Sequence, residues 1–147
     1  MNIIANCYNN GNIAIWGLLS NKRLHTFSQV HDKYTYKIRF QSPNILVSCG
    51  ADCSVIRTDL EKQKYISNFS HPLPVWCAHP IDSNQIATVG LFGRVFVWDV
   101  RANRVVQFCN NKRNESSFIT TRNVNEFKVF YGDEALLNQW DRRKSKP

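Results

Sequence analysis

The feature that most constrains this chain is a recurrence. Strand-like segments end at Trp16, Thr58, Trp98 and Trp140, spaced by 42, 40 and 42 residues. They read NIAIW, SVIRT, RVFVW and LLNQW. In the third, Val95 and Val97 alternate with Arg94, Phe96 and Trp98, the period of two that sends neighbouring side chains to opposite faces of a β-strand. His31 stands 28 residues before Asp59, and His71 stands 28 before Asp99. Landmarks held in one phase mean similar units, each too small to bury a core alone and therefore stacked against its neighbour.

Each period divides further at turn residues. The first offers Ile3–Gly11, ending in the hairpin turn Asn9-Asn10-Gly11, then strands over Asn12–Trp16 and Arg23–Phe27. The second gives four strands, Tyr36–Phe40, Ile45–Cys49, Ser54–Thr58 and Lys64–Phe69, with Gly50-Ala51-Asp52 as a turn. Four more follow at Val75–His79, Gln85–Val89, Arg94–Asp99 and Arg104–Cys109. The last period supplies Phe118–Thr121, Glu126–Tyr131 and Leu136–Trp140. The sum 3 + 4 + 4 + 3 gives 14 strands.

Such a pattern resembles the WD-repeat family of β-propellers, with its Gly-His…Trp-Asp signature and four strands per blade. The resemblance implies an all-β fold, a partial propeller with blades over 1–29, 30–69, 70–109 and 110–141, and a basic tail over 142–147. A propeller hides its strand edges by closing a ring. Three and a half blades do not close one. The chain is therefore expected to be a fragment of a longer propeller, or to complete the ring by self-association or by pairing with another half-propeller.

In this family a blade histidine, a Ser or Thr on the second strand, an aspartate in the turn and the Trp form a hydrogen-bonded network. The resemblance carries those roles to His31, Ser48 and Asp52, with Thr58 where the Trp would stand. In the next blade it carries them to His71, Thr88 and Trp98, with Phe92 at the aspartate position. Asn10 and Glu134 occupy that position in the outer repeats, without a clear histidine. Two corners also read WDxR, at Trp98-Asp99-Val100-Arg101 and Trp140-Asp141-Arg142-Arg143. Segment Ile86–Arg101 resembles the box of WD-repeat substrate receptors in cullin–RING ubiquitin ligases, where the arginine faces an adaptor. Trp98, Asp99, Arg101, Trp140, Asp141 and Arg143 are thus candidate partner-binding residues.

Composition narrows the function classes. With 43% hydrophobic and 20% charged residues in 147, the chain reads as one globular domain. No apolar run approaches the roughly 20 residues of a membrane span. The N-terminus lacks a basic n-region. Five scattered cysteines, an odd number, suit reduced thiols in the cytoplasm or nucleus. Cys49-x3-Cys53 and Cys77-x-His79 find no second pair at ligand spacing, so no metal is expected. A Gly-rich phosphate loop, a nucleophile elbow and a repeat-matched carboxylate pair are all missing, so neither catalysis nor a cofactor is expected.

The net charge of +8 suits an acidic partner. Basic residues recur at Lys22-Arg23, Lys33, Lys37, Arg39, Lys62, Lys64, Lys112-Arg113 and from Arg142 to Lys146. Trp16, Trp98 and Trp140 are assigned to blade cores, leaving Tyr34, Tyr36 and Trp76 uncommitted. The expected function is a non-enzymatic protein-interaction scaffold in an intracellular complex. Alternatives are a ubiquitin-ligase substrate receptor and a nucleic-acid-associated subunit.

Overall fold

A computed structural model of the chain describes residues 2–90, 93–109, 118–120, 128–132 and 137–143, with backbone alone over 118–120, 128–132 and 137–138. The first sheet contains β1 (Ile3–Cys7), β2 (Ile13–Gly17) and β3 (Lys22–Phe27). The second contains β4 (Thr35–Ser42), β5 (Ile45–Gly50), β6 (Ser54–Asp59) and β7 (Lys64–Ser70). The third contains β8 (Val75–Pro80), β9 (Gln85–Gly90), β10 (Val95–Asp99) and β11 (Arg104–Cys109). The fourth contains β12 (Phe118–Thr120), β13 (Lys128–Gly132) and β14 (Leu137–Asp141). Neighbours in sequence are neighbours in each sheet, and every pairing is antiparallel. Among the described residues, the all-β architecture of 14 strands divided 3 + 4 + 4 + 3 is the one the recurrence implies. Residues 144–147 of the expected tail, and the expected positions Phe92, Glu134, Lys112 and Arg113, lie outside the described residues.

The core lies between the blades. One cluster joins Ile13, Ile15 and Phe27 of the first blade to Leu46 and Ile56 of the second. Another joins Val47, Val55 and Phe69 to Val75, Ala78, Ile86 and Trp98. A third packs Ala87, Val89, Val95 and Val97 with Trp140. Each such aliphatic side chain contributes about 1.5–3 kcal/mol when fully buried. Because both faces of an inner sheet are covered, β5, β6 and β9 are buried along nearly their whole length rather than at alternate residues.

Hairpin turns repeat as closely as strands do. Between the second and third strands of a blade, one residue takes the left-handed conformation: Gly11 (φ 80°), Cys53 (φ 63°) and Gly93 (φ 65°). Between the third and fourth strands it is Asn21, Gln63 and Asn103, at φ of 50°, 51° and 50°. Gly11 has a second reason to be glycine. A Cβ there would sit 1.8 Å from the His31 carbonyl oxygen, whose own N–H is held by Gly11 O at 3.2 Å.

Bulges recur too. On the outer strands β3, β7 and β11 the extra residues are Leu24, Ile66 and Val106. On the inner strands β4 and β8 they include Tyr36 and Trp76. A bulge twists the strand and re-aims the side chain of the extra residue.

Candidate functional site: the blade ends and corners

The end of the second blade is built around a buried imidazole. His31 follows β3 in a loop anchored on Gly11, and β5 and β6 deliver the groups that receive it. Its Nε2 lies 2.8 Å from Ser48 Oγ, and its Nδ1 lies 3.0 Å from both Asp52 oxygens. Ser54 Oγ sits 2.8 Å from His31 Nδ1 and donates to Asp52 Oδ1 at 2.8 Å. The carboxylate also accepts from the backbone N–H groups of Asp32 and Ser54 at 3.1 Å each. Burial lowers the pKa of His31, against the pull of Asp52. Burial likewise opposes ionisation of Asp52, but hydrogen bonds from Ser54 and His31 outweigh it and hold its pKa below the ordinary value. A neutral His31 therefore donates from Nδ1 to Asp52 and accepts from Ser48 at Nε2.

This order of Ser, His and Asp is that of a hydrolase triad. Ser48 is only 1% exposed, however, so its Oγ is closed to a substrate. What the arrangement does is fasten the loop before β4 to the hairpin between β5 and β6. The structure brings together His31, Ser48 and Asp52, and adds Ser54, which the sequence reading missed. An Asp-x-Ser turn is the signal that was there to find it. Thr58, in the place of the Trp, is buried with its hydroxyl unpartnered among the described residues.

The third blade carries the complementary half. Trp98 Nε1 donates to Thr88 Oγ1 at 2.9 Å, and both residues are buried. His71 does not join them. Its Nδ1 donates to Leu73 O at 2.9 Å, its ring meets Phe96 edge-on at 4.7 Å, and its Nε2 finds no partner among the described residues. Burial lowers its pKa, with the Leu73 carbonyl opposing. In the first blade Trp16 is only half-buried and its Nε1 is likewise unpartnered among the described residues, so it is less a core residue than the sequence implies.

At the opposite ends of the strands, the corners at Thr58-Asp59, Trp98-Asp99 and Trp140-Asp141 repeat one device. Asp59 Oδ1 accepts from the N–H groups of Glu61 (3.0 Å) and Lys62 (2.9 Å). Asp99 Oδ1 accepts from Arg101 (2.8 Å) and Ala102 (2.9 Å), and those backbone bonds lower its pKa. Asp141 Oδ1 accepts from Arg143 N at 3.1 Å. The candidate partner-binding residues separate here by exposure. Trp98 and Trp140, 6% and 4% exposed, are covered by the core and support the corner from below. Arg101 and Arg143 are exposed. Arg143 is turned onto its own corner, with Nε 3.0 Å and an outer nitrogen 2.6 Å from the Asp141 carboxylate. Arg101 makes no side-chain hydrogen bond among the described residues.

Two polar bridges tie neighbouring blades. Arg57 Nε donates to Gln41 Oε1 at 2.9 Å, and Gln41 Nε2 reaches Asp82 O at 2.8 Å. Arg142 donates to Gln107 Oε1 at 2.9 Å and to Gln85, and Gln107 Nε2 returns a bond to Arg142 O at 3.2 Å. Among the described residues, no three His, Cys, Asp or Glu side chains come together as a metal site, and no helix is long and apolar enough to cross a membrane.

No family model matches the chain. It is similar to the mouse E3 ubiquitin-protein ligase RFWD3, 28% identical over 86 residues, which are 56% of this chain and 11% of that protein. Among solved structures, the crystal structure of the WD40 β-propeller domain of Doa1 matches with a TM-score of 0.84 at 13% identity, over 99% of this chain and 48% of that one. The fold is therefore that of a WD-repeat propeller. The chain spans about half of the propeller and a small part of the curated relative.

Proposed function

We propose that this chain is a non-enzymatic scaffold segment that holds partner proteins within a cytoplasmic or nuclear complex. The observation that carries the reading is the corner made three times: Asp59, Asp99 and Asp141 lock the backbone, while the side chain two residues on changes from Glu61 to Arg101 to Arg143. A fixed backbone carrying exposed charged side chains suits recognition, because little conformational freedom is lost when a partner docks. A photo-crosslinking residue placed in turn at positions 61, 101 and 143 tests this in cells. Recovery of a defined protein from any corner supports it; no crosslinked protein at all three contradicts it.

A second reading is a substrate receptor of a ubiquitin ligase, docking through Arg101. It is favoured by the exposed Arg101 side chain in a WDxR corner, together with the local similarity to RFWD3. Arg101→Ala should reduce recovery of the adaptor without changing the melting temperature. Unchanged recovery would sink this reading. Pairing with a second copy or with another half-propeller is the form of assembly that would cover the edges of β1 and β14, and light scattering across concentration reads it directly.

A further inference from the structure

The inner strands carry a feature that neither reading uses. Tyr36 and Trp76 are 40 residues apart, each five residues after its blade histidine. Each is the extra residue of a bulge, since Thr35 and Lys37 pair with consecutive β5 residues, and Val75 and Cys77 with consecutive β9 residues. The two rings meet across the blade boundary with centroids 4.7 Å apart and planes tilted by 33°. Both remain 36% exposed, and Tyr34 beside them is 55% exposed. A pair serving only to join blades would be expected beneath the surface, where the same contact would also remove the rings from water.

Among the described residues, the charge around the pair is mainly positive. Lys33 and Lys37 flank the aromatic segment on β4 and the loop before it, and Arg94 opens β10 at the same end of the third blade. The Lys33 and His31 carbonyls approach Gly11, which brings the turn after exposed Tyr8 to this end as well. Of the acidic groups there, Asp52 is held by His31 and Ser54, leaving Asp32 exposed. Exposed rings among cations are what single-stranded nucleic acid needs, because any base can stack on a π-face while its phosphates meet the positive groups. Lysine is depleted in protein–protein contacts, so two lysines beside the rings favour the polyanion over a protein partner.

We propose that the Tyr36–Trp76 pair is a stacking platform for single-stranded nucleic acid, with Lys33, Lys37 and Arg94 meeting its phosphates. The test uses the whole chain and fluorescein-labelled oligouridylate and oligothymidylate of about 15 nucleotides, read by anisotropy from about 50 to about 200 mM salt. Binding should weaken steeply with salt. Replacing both rings, Tyr36→Ala with Trp76→Ala, should lower affinity about tenfold or more, whereas Trp76→Phe should retain it and so separate loss of the ring from loss of the fold. Lys33→Gln and Lys37→Gln should each reduce the salt slope by about one. No binding at the lowest salt would overturn the proposal, as would binding indifferent to removal of both rings. An oligoglutamate that binds more tightly than either oligonucleotide, in a ring-dependent way, would also overturn it and assign the platform to an acidic protein.

Discussion

Blades two and three share one strand plan and one phase, yet they hold their histidines by different means. In the second, His31 is gripped at both nitrogens by Ser48 and Asp52, and the buried Thr58 hydroxyl is left without a partner among the described residues. In the third, Trp98 and Thr88 keep their bond, and His71 lies against Phe96 with Nε2 unpartnered among the described residues. Each blade thus keeps a different half of one network, and its orphaned polar atom lies where the other half is missing. The difference teaches that the blade tolerates loss of either half, because the aliphatic clusters between sheets continue through both. What is lost is local, of the order of a buried unsatisfied group, about 1–3 kcal/mol.

Substitution of the two histidines should separate the halves most widely. His31→Ala leaves Ser48 and Asp52 without their central partner and should cost about 3 kcal/mol in urea unfolding. His71→Leu gives up the Nδ1 bond to Leu73 O but also removes Nε2, which has no partner among the described residues, and should cost only about 1 kcal/mol. Equal losses would break the comparison.

Acid gives the next largest effect. Both imidazoles have folded pKa values below the ordinary value, so the unfolded chain takes up protons that the folded one refuses. Their contribution is present above about pH 6.5 and is lost as the pH falls below it. Asp52, also lowered, should add a second loss below about pH 4. Thermal melts from neutral to acid pH should show both steps. In His71→Leu the first step should shrink without disappearing, since His31 remains.

The paired hydroxyls should then respond with opposite signs. Thr88→Val deprives Trp98 Nε1 of its acceptor and should destabilise by about 1–2 kcal/mol. Thr58→Val removes an unsatisfied buried oxygen and should stabilise by up to about 1 kcal/mol. Urea midpoints of the two variants would sharpen the contrast. The smallest effect belongs to the hairpin: Cys53→Gly places glycine where Gly11 and Gly93 stand in the neighbouring blades, and should stabilise by about 0.5 kcal/mol in the same assay.

The strand plan was legible because alternation and turn residues are local properties, and four phased units repeat them. The boundaries moved by a residue or two, as with β4, which extends to Ser42. The bulges were not legible. Tyr36 and Trp76 fit the alternating pattern as written, and only the pairing with β5 and β9 reveals them as extra residues. The role of His31 was visible through the resemblance, whereas Ser54 became part of its site only when the Asp52 turn closed. His71 instead turns Nδ1 to Leu73 O and meets the ring of Phe96, at a position where the second blade has Ile56. That difference is readable in sequence, but its consequence needs the ring contact.

The measurement that tests the division most directly is a pair of double-mutant cycles in urea unfolding, one on His31 and Ser48 and one on His71 and Thr88, with histidine and serine changed to alanine and threonine to valine. The first pair should couple by about 1 kcal/mol or more, and the second should be additive within about 0.5 kcal/mol. Coupling of equal size in both cycles would mean that His71 reaches Thr88 after all, and that the two blades share one intact network rather than dividing it.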